Sequence, residues 1–221
     1  MMEAFTKSPT KAKVSRALIV IDVQNDFLPG GALAVPHGDE ILAPLCELMN
    51  SGRFELIVAT QDWHPRGHIS FASSHRGRRP MDLIKLYGHE QTLWPDHCVQ
   101  GTEGAMLHRD LPWEKAAVII RKATDRAVDS YSAIRNNWNP RGKRPPTGLG
   151  GYLTEHRVRE VFVCGLARDF CVRWSAEDAA TEGFRVSVIW DLCRSLDPLK
   201  DDRLRSRLIA RGIKIIDRAN M

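Results

Sequence analysis

No apolar run in this 221-residue chain approaches the roughly 20 residues that a bilayer-crossing helix requires, which excludes a helical membrane protein. The opening MMEAFTKSPTKAKVSR is basic but has neither the apolar stretch nor the small-residue cleavage site of a secretory signal. Residues 1–15 are therefore expected to be a mobile tail, followed by one domain over 16–221, a length sufficient for its own core. Cysteines are few and odd in number (Cys46, Cys98, Cys164, Cys171 and Cys193) and lie in or beside apolar runs. That layout excludes a disulfide framework and fits a reducing, cytoplasmic setting. Internal repeats and low-complexity tracts are absent. Aromatic residues are missing from the basic stretches 76–79 and 141–144, so the net charge of +5 reads as solvated surface, not as a single-strand nucleic-acid groove.

What remains is an ordinary globular composition, 43% hydrophobic and 27% charged, arranged as an alternation. Short β-branched runs at 17–23, 56–59, 117–121, 161–164, 186–190 and 213–216 read as strands, and their nearly continuous hydrophobicity implies cover on both faces. Between them, Ile41, Leu45, Leu48 and Met49 recur at helical spacing before Gly52, with Pro44 delaying or kinking the start. Residues 169–182 form a second helical segment, stopped by Gly183. A third is capped by Asp197, with Pro198 in its first turn, Leu204 and Leu208 on one face and Gly212 at its end. The pattern predicts an α/β fold with a mostly parallel six-stranded sheet and helices on both faces, a three-layer sandwich. Two stretches interrupt it: 61–115, rich in His, Trp and Pro, and 136–151, rich in Pro, Gly and basic residues. Long ordered loops in compact domains are usually functional.

Ligands of open parallel sheets bind beyond the carboxyl ends of the strands, so the polar residues there carry the functional information. Asp22 interrupts the apolar run ALIVIDV, where burial would raise its pKa; the plainer reading is a strand-end acid bonding the next loop. After the second strand, Asp62 and His64 are one residue apart and can face the same side of an extended segment, offering oxygen and nitrogen to a cation. His97 is the best third ligand, and His68 a further candidate, as a fourth ligand or an orienting neighbour. Such a mixed set suits one divalent zinc, iron or manganese ion better than calcium. Lys122 ends the third strand and requires a carboxylate partner if buried; otherwise it reaches solvent. Cys171 opens a helix, a position that lowers a thiol pKa and presents backbone N–H groups to an oxyanion; by itself it could equally be a small buried hydrophobe. An acid, an ammonium and a thiol at one sheet edge form a nucleophile with its proton acceptor.

In order along the chain, ALIVIDVQNDFLPGGALAV, VATQDWHP with HISF, LWPDHCVQGTEGA, IIRKATD with VDSYSAI, and GLARDFCVRWSAEDA resemble the nicotinamidase branch of the isochorismatase-like hydrolases over residues 16–216. That resemblance implies a catalytic triad of Asp22, Lys122 and Cys171, a metal site of Asp62, His64 and His97 with zinc as the first choice, and a pyridine ring flanked by Phe27, Trp94 and Tyr131. It further implies a cis peptide at Leu166–Ala167 that aims the N–H of Ala167, with that of Cys171, into an oxyanion hole. The implied activity is hydrolysis of nicotinamide in NAD salvage, with pyrazinamide also accepted and no membrane partner; assembly into a homo-oligomer stays open. Two departures stand out: Arg168, where the family commonly has threonine, and 76–90, unlike the usual loop. Rival readings are a same-fold hydrolase of another small amide or an enol ether, and an inactive basic scaffold.

Overall fold

The computed structural model describes residues 15–221. Of the expected tail, residues 1–14 lie outside the described residues, and Ser15 is the first residue of strand β1 (Ser15–Ile21). The main sheet adds β2 (Leu56–Asp62), β5 (Val118–Lys122), β6 (Val158–Leu166), β7 (Arg185–Arg194) and β8 (Lys214–Ile216). Every pairing is parallel and the spatial order is β5-β2-β1-β6-β7-β8. The central strands are buried along nearly their whole length, as their unbroken β-branched runs require. Edge strand β5 alternates until Lys122, which is buried.

Helices α1 (Leu42–Asn50), α2 (Leu149–Glu155), α3 (Arg173–Thr181) and α4 (Asp201–Ala210) supply crossovers. From β1 the chain moves outward to β2 and β5, then returns past β1 to β6 and continues to β7 and β8. Right-handed connections place these two sets of crossovers on opposite faces of the sheet. The direction of winding reverses between β1 and β6, and a crevice opens beyond their carboxyl ends. The two strands meet closely there: a Cβ on Gly165 would lie 2.1 Å from the carbonyl oxygen of Ile21.

Several local expectations needed correction. Asp197 makes no side-chain cap; its carboxylate pairs with Lys200 at 2.7 Å, although Pro198 does open the first turn. Residues 168–172 form a wider π turn before α3 begins, with the N–H groups of Phe170 and Val172 both directed at the carbonyl of Ala167. The interruption at 61–115 contains a hairpin, β3 (Leu83–Leu86) with β4 (His89–Thr92), joined through Tyr87 and Gly88. Both turn residues have positive φ, 53° and 85°, the geometry that matches the twist of paired strands. Its half-exposed residues gave no clear alternation. Helix α2 was hidden by Gly150 and Gly151 inside it.

Candidate active site

β1 leaves the sheet at Asp22, whose φ of 47° is in the left-handed region that aspartate tolerates better than most residues. Asp22 is fully buried, and its Oδ1 accepts a hydrogen bond from Thr60 at 2.6 Å. Lys122, at the end of β5, extends across the end of β2 to place Nζ 2.8 Å from Asp22 Oδ2. The same ammonium pairs with Asp62 and donates to the carbonyl of Ser130 at 3.1 Å. It lies 3.5 Å from Cys171 Sγ. The carboxylate partner that burial demanded is thus a pair of carboxylates.

The electrostatics follow from this enclosure. Burial pushes Asp22 up to about 6, against the attraction of Lys122. Burial alone would lower Lys122, but Asp22 and Asp62 hold it well above its ordinary value. The thiol of Cys171, expected to be acidified by a helix terminus, is instead raised well above its usual range. Burial is the main cause; Lys122 opposes it, and the charges of Asp22 and Asp62 reinforce it. The proton therefore rests on sulfur.

Donor atoms of Asp62, His64 and His97 lie within 4.8 Å of one another. His97 Nδ1 bonds the carbonyl of Pro95 at 2.8 Å, and its Nε2 faces Asp62 at 4.0 Å. Burial lowers His97 to about 4 and also lowers His64, keeping both imidazoles neutral, the form that binds metal. His64 Nδ1 is buried without a hydrogen-bond partner. An orphaned imidazole nitrogen beside a carboxylate and a second neutral imidazole fits a divalent cation. His68 stands apart from this set. Its Nδ1 faces Ser70 at 2.8 Å, its Nε2 faces the carbonyl of Asp125 at 3.1 Å, its ring packs edge-on to His64, and with His64 and Asp129 it forms a second group of donor atoms within 4.8 Å of one another.

Phe27, Trp94 and Tyr131 line a cavity together with Asp62, His64, His97, Ala167 and Cys171. The space between these side chains, open to solvent at one end, amounts to about 320 Å³. Asp22 and Lys122 are not part of its wall. Leu33, Phe170 and Leu196 are the only lining residues not buried, and they mark the mouth. Trp94 packs edge-on to Phe170 at 4.8 Å and donates Nε1–H to the Tyr131 hydroxyl at 3.1 Å. The expected cis peptide is present at Leu166–Ala167. Arg168 takes no part in the cavity wall.

Asp129 was missed from the sequence. It lines the cavity, accepts from Gln91 Nε2 at 2.7 Å and faces His64 Nε2 at 3.7 Å. Burial would raise it, yet His64, His68 and Gln91 hold it well below the carboxylate range. Its one outward sign was its place in VDSYSAI, two residues before Tyr131.

The isochorismatase-domain family matches residues 16–220. The chain belongs to the isochorismatase family. Within that family, a nicotinamidase of Acinetobacter baylyi is 49% identical over 181 residues, 82% of each chain. The solved L. infantum PnC1 protein in complex with nicotinate superposes with a TM-score of 0.81 at 36% identity, covering 94% of that chain and 93% of this one. The Pyrococcus horikoshii pyrazinamidase in complex with zinc superposes with a TM-score of 0.73 at 39% identity, covering 99% and 92% respectively. Among the described residues, no helix is long and apolar enough to cross a membrane.

Proposed function

We propose that this isochorismatase-family hydrolase is a nicotinamidase, converting nicotinamide to nicotinate and ammonia in NAD salvage and accepting pyrazinamide as well. The observation that carries the reading is the continuity of one small aromatic cavity with both a buried Asp–Lys–Cys cluster and an Asp–His–His donor set. In this scheme Asp22 takes the Cys171 proton and the thiolate attacks the carboxamide carbon. The N–H groups of Ala167 and Cys171 face the developing oxyanion. Asp22 then returns the proton to the departing amine, ammonia leaves, and the same carboxylate activates the water that cleaves the thioester. Lys122 keeps two nearby carboxylates ionised beside sulfur. Asp62, His64 and His97 would hold one divalent ion, zinc first and iron or manganese as alternatives. When bound, that ion supplies a Lewis-acidic anchor for the ring nitrogen. Phe27, Trp94 and Tyr131 bound the flat ring.

The likeness to nicotinamidases across most of the chain favours this substrate over another small amide or an enol ether. A scaffold would have no use for a buried thiol, lysine and two carboxylates in mutual contact, which is costly without a reaction to serve. Five free cysteines support a cytoplasmic location. The deciding experiment is ammonia release from nicotinamide by purified protein supplied with divalent metal; absence of release rejects the proposal.

A further inference from the structure

β6 and β7 do not stay in step. Val163 pairs with Val188, but Gly165 pairs with Cys193, so one residue of β6 faces a four-residue bulge, 189–192, in β7. A bulge of this kind turns carbonyls away from the ladder, and buried carbonyls require other donors. Arg194 serves the carbonyl of Asp191 at 3.0 Å, and Arg168 that of Trp190: its Nη2 donates there at 2.9 Å and also to the carbonyl of Cys193, which it shares with Arg194, while its Nη1 pairs with Asp201 at the start of α4. The Arg168 guanidinium lies 4.1 Å from the centre of the Trp190 ring. Arg168 is buried, leaving only its Nε unpartnered.

The other end of this residue belongs to the cysteine turn. The carbonyl of Arg168 accepts the N–H of Arg173, closing the π turn that contains Cys171. The adjacent Asp169 accepts the N–H groups of Leu196 and Asp197, each at 3.0 Å, and Leu196 stands at the cavity mouth. Asp201 in turn accepts from Ser195 at 2.5 Å. The segment between Ala167 and Cys171 is thereby fixed at several points to the end of β7 and the beginning of α4.

We infer that Arg168 is a positioning residue for the reaction: by joining the cysteine turn to the β7 bulge, its guanidinium sets where Cys171 and its N–H point, without touching the substrate cavity. This rests on the reading of Cys171 as the nucleophile. Three acceptors lying in different directions call for a planar fork, which a lysine ammonium does not supply.

The test compares wild-type protein with Arg168→Met, which keeps an apolar stem over Trp190 but removes the donors, and with Arg168→Lys. Nicotinamide turnover is measured per folded molecule, counted by stoichiometric alkylation of the native thiols and by circular dichroism. Arg168→Met should lower kcat by about 10- to 100-fold with little change in KM, because the ring and metal contacts are unaltered. Arg168→Lys should fall between the two. If Arg168→Met does not fold, Asp201→Asn, which loses the ion pair but keeps the carbonyl bonds, should give a smaller fall of the same kind. Wild-type kcat in these variants, or a loss that vanishes when turnover is expressed per folded molecule, would overturn the inference. No turnover by the wild-type protein would instead overturn the functional reading on which it rests.

Discussion

The side-chain amide of Gln24 binds the peptide of Asp62 as a neighbouring strand would: Oε1 accepts the N–H of Asp62 at 2.7 Å, and Nε2 donates to its carbonyl at 2.8 Å. The arrangement exists because β1 turns out of the sheet at Asp22, one residue before β2 reaches Asp62. Gln24, itself fully buried, continues the ladder with a side chain and holds the acid that offers its carboxylate to both Lys122 and the proposed metal. Gln24→Leu should therefore weaken zinc binding by about 10- to 100-fold and lower stability by about 1–3 kcal/mol through stranded peptide groups. Zinc titration and thermal unfolding check the two parts. Unchanged zinc affinity would show that the clamp does not set the ligand's orientation.

Asp22→Asn is the direct test of the proton acceptor, since asparagine shares both the shape and the tolerance for positive φ. Turnover should fall by roughly 10²- to 10⁴-fold. Lys122 would not be stranded, because Asp62 still pairs with it. Removing one negative charge should lower the pKa of the Cys171 thiol, one of whose upward causes is Asp22, so its alkylation profile should move to lower pH. Near wild-type turnover would reject the triad assignment.

Chelation should abolish amidase activity and added divalent metal should restore it, with the circular dichroism of the protein unchanged throughout. The fold survives because Lys122 already neutralises Asp62 and the imidazoles are uncharged. Loss of secondary structure on chelation would make the ion structural.

Trp94→Ala should raise KM more than it lowers kcat, because ring contact is present in ground and transition states alike. A loss of about 1 kcal/mol corresponds to a roughly fivefold weaker KM. Steady-state kinetics with nicotinamide will decide, and an unchanged KM would place the indole outside ring recognition.

Gly165→Ala should be among the most damaging single-methyl changes in the chain. The new Cβ would meet backbone at 2.1 Å in a residue whose φ is +114°, where no side chain can swing aside. Destabilisation of more than about 3 kcal/mol, read by denaturant unfolding or by loss of soluble protein, is expected. A stable variant would mean that β1 and β6 separate more readily than their packing indicates.

Local sequence determined much of this protein. β-branched runs wrote the six strands, and polar residues at or just beyond their ends marked Asp22, Asp62 and Lys122, because such residues are conspicuous beside an apolar run, while Cys171 was marked by its place at the start of a helix. His64 and His97 stood out by residue type beside them. Hairpin β3–β4 and helix α2 were less legible, since an exposed strand has no apolar alternation and paired glycines mask a short helix. Strand order was decided only in three dimensions. With β2 between β5 and β1, Lys122 meets Asp22 across a strand, and with β6 beside β1, Cys171 arrives at the same point. Asp129, the Gln24 clamp and the grip of Arg168 on β7 likewise join residues distant in the chain. The thiol of Cys171 shows why the distinction matters. Sequence position suggested an acidified cysteine, whereas enclosure beside two carboxylates raises its pKa, because desolvation and charge depend on everything packed around the sulfur.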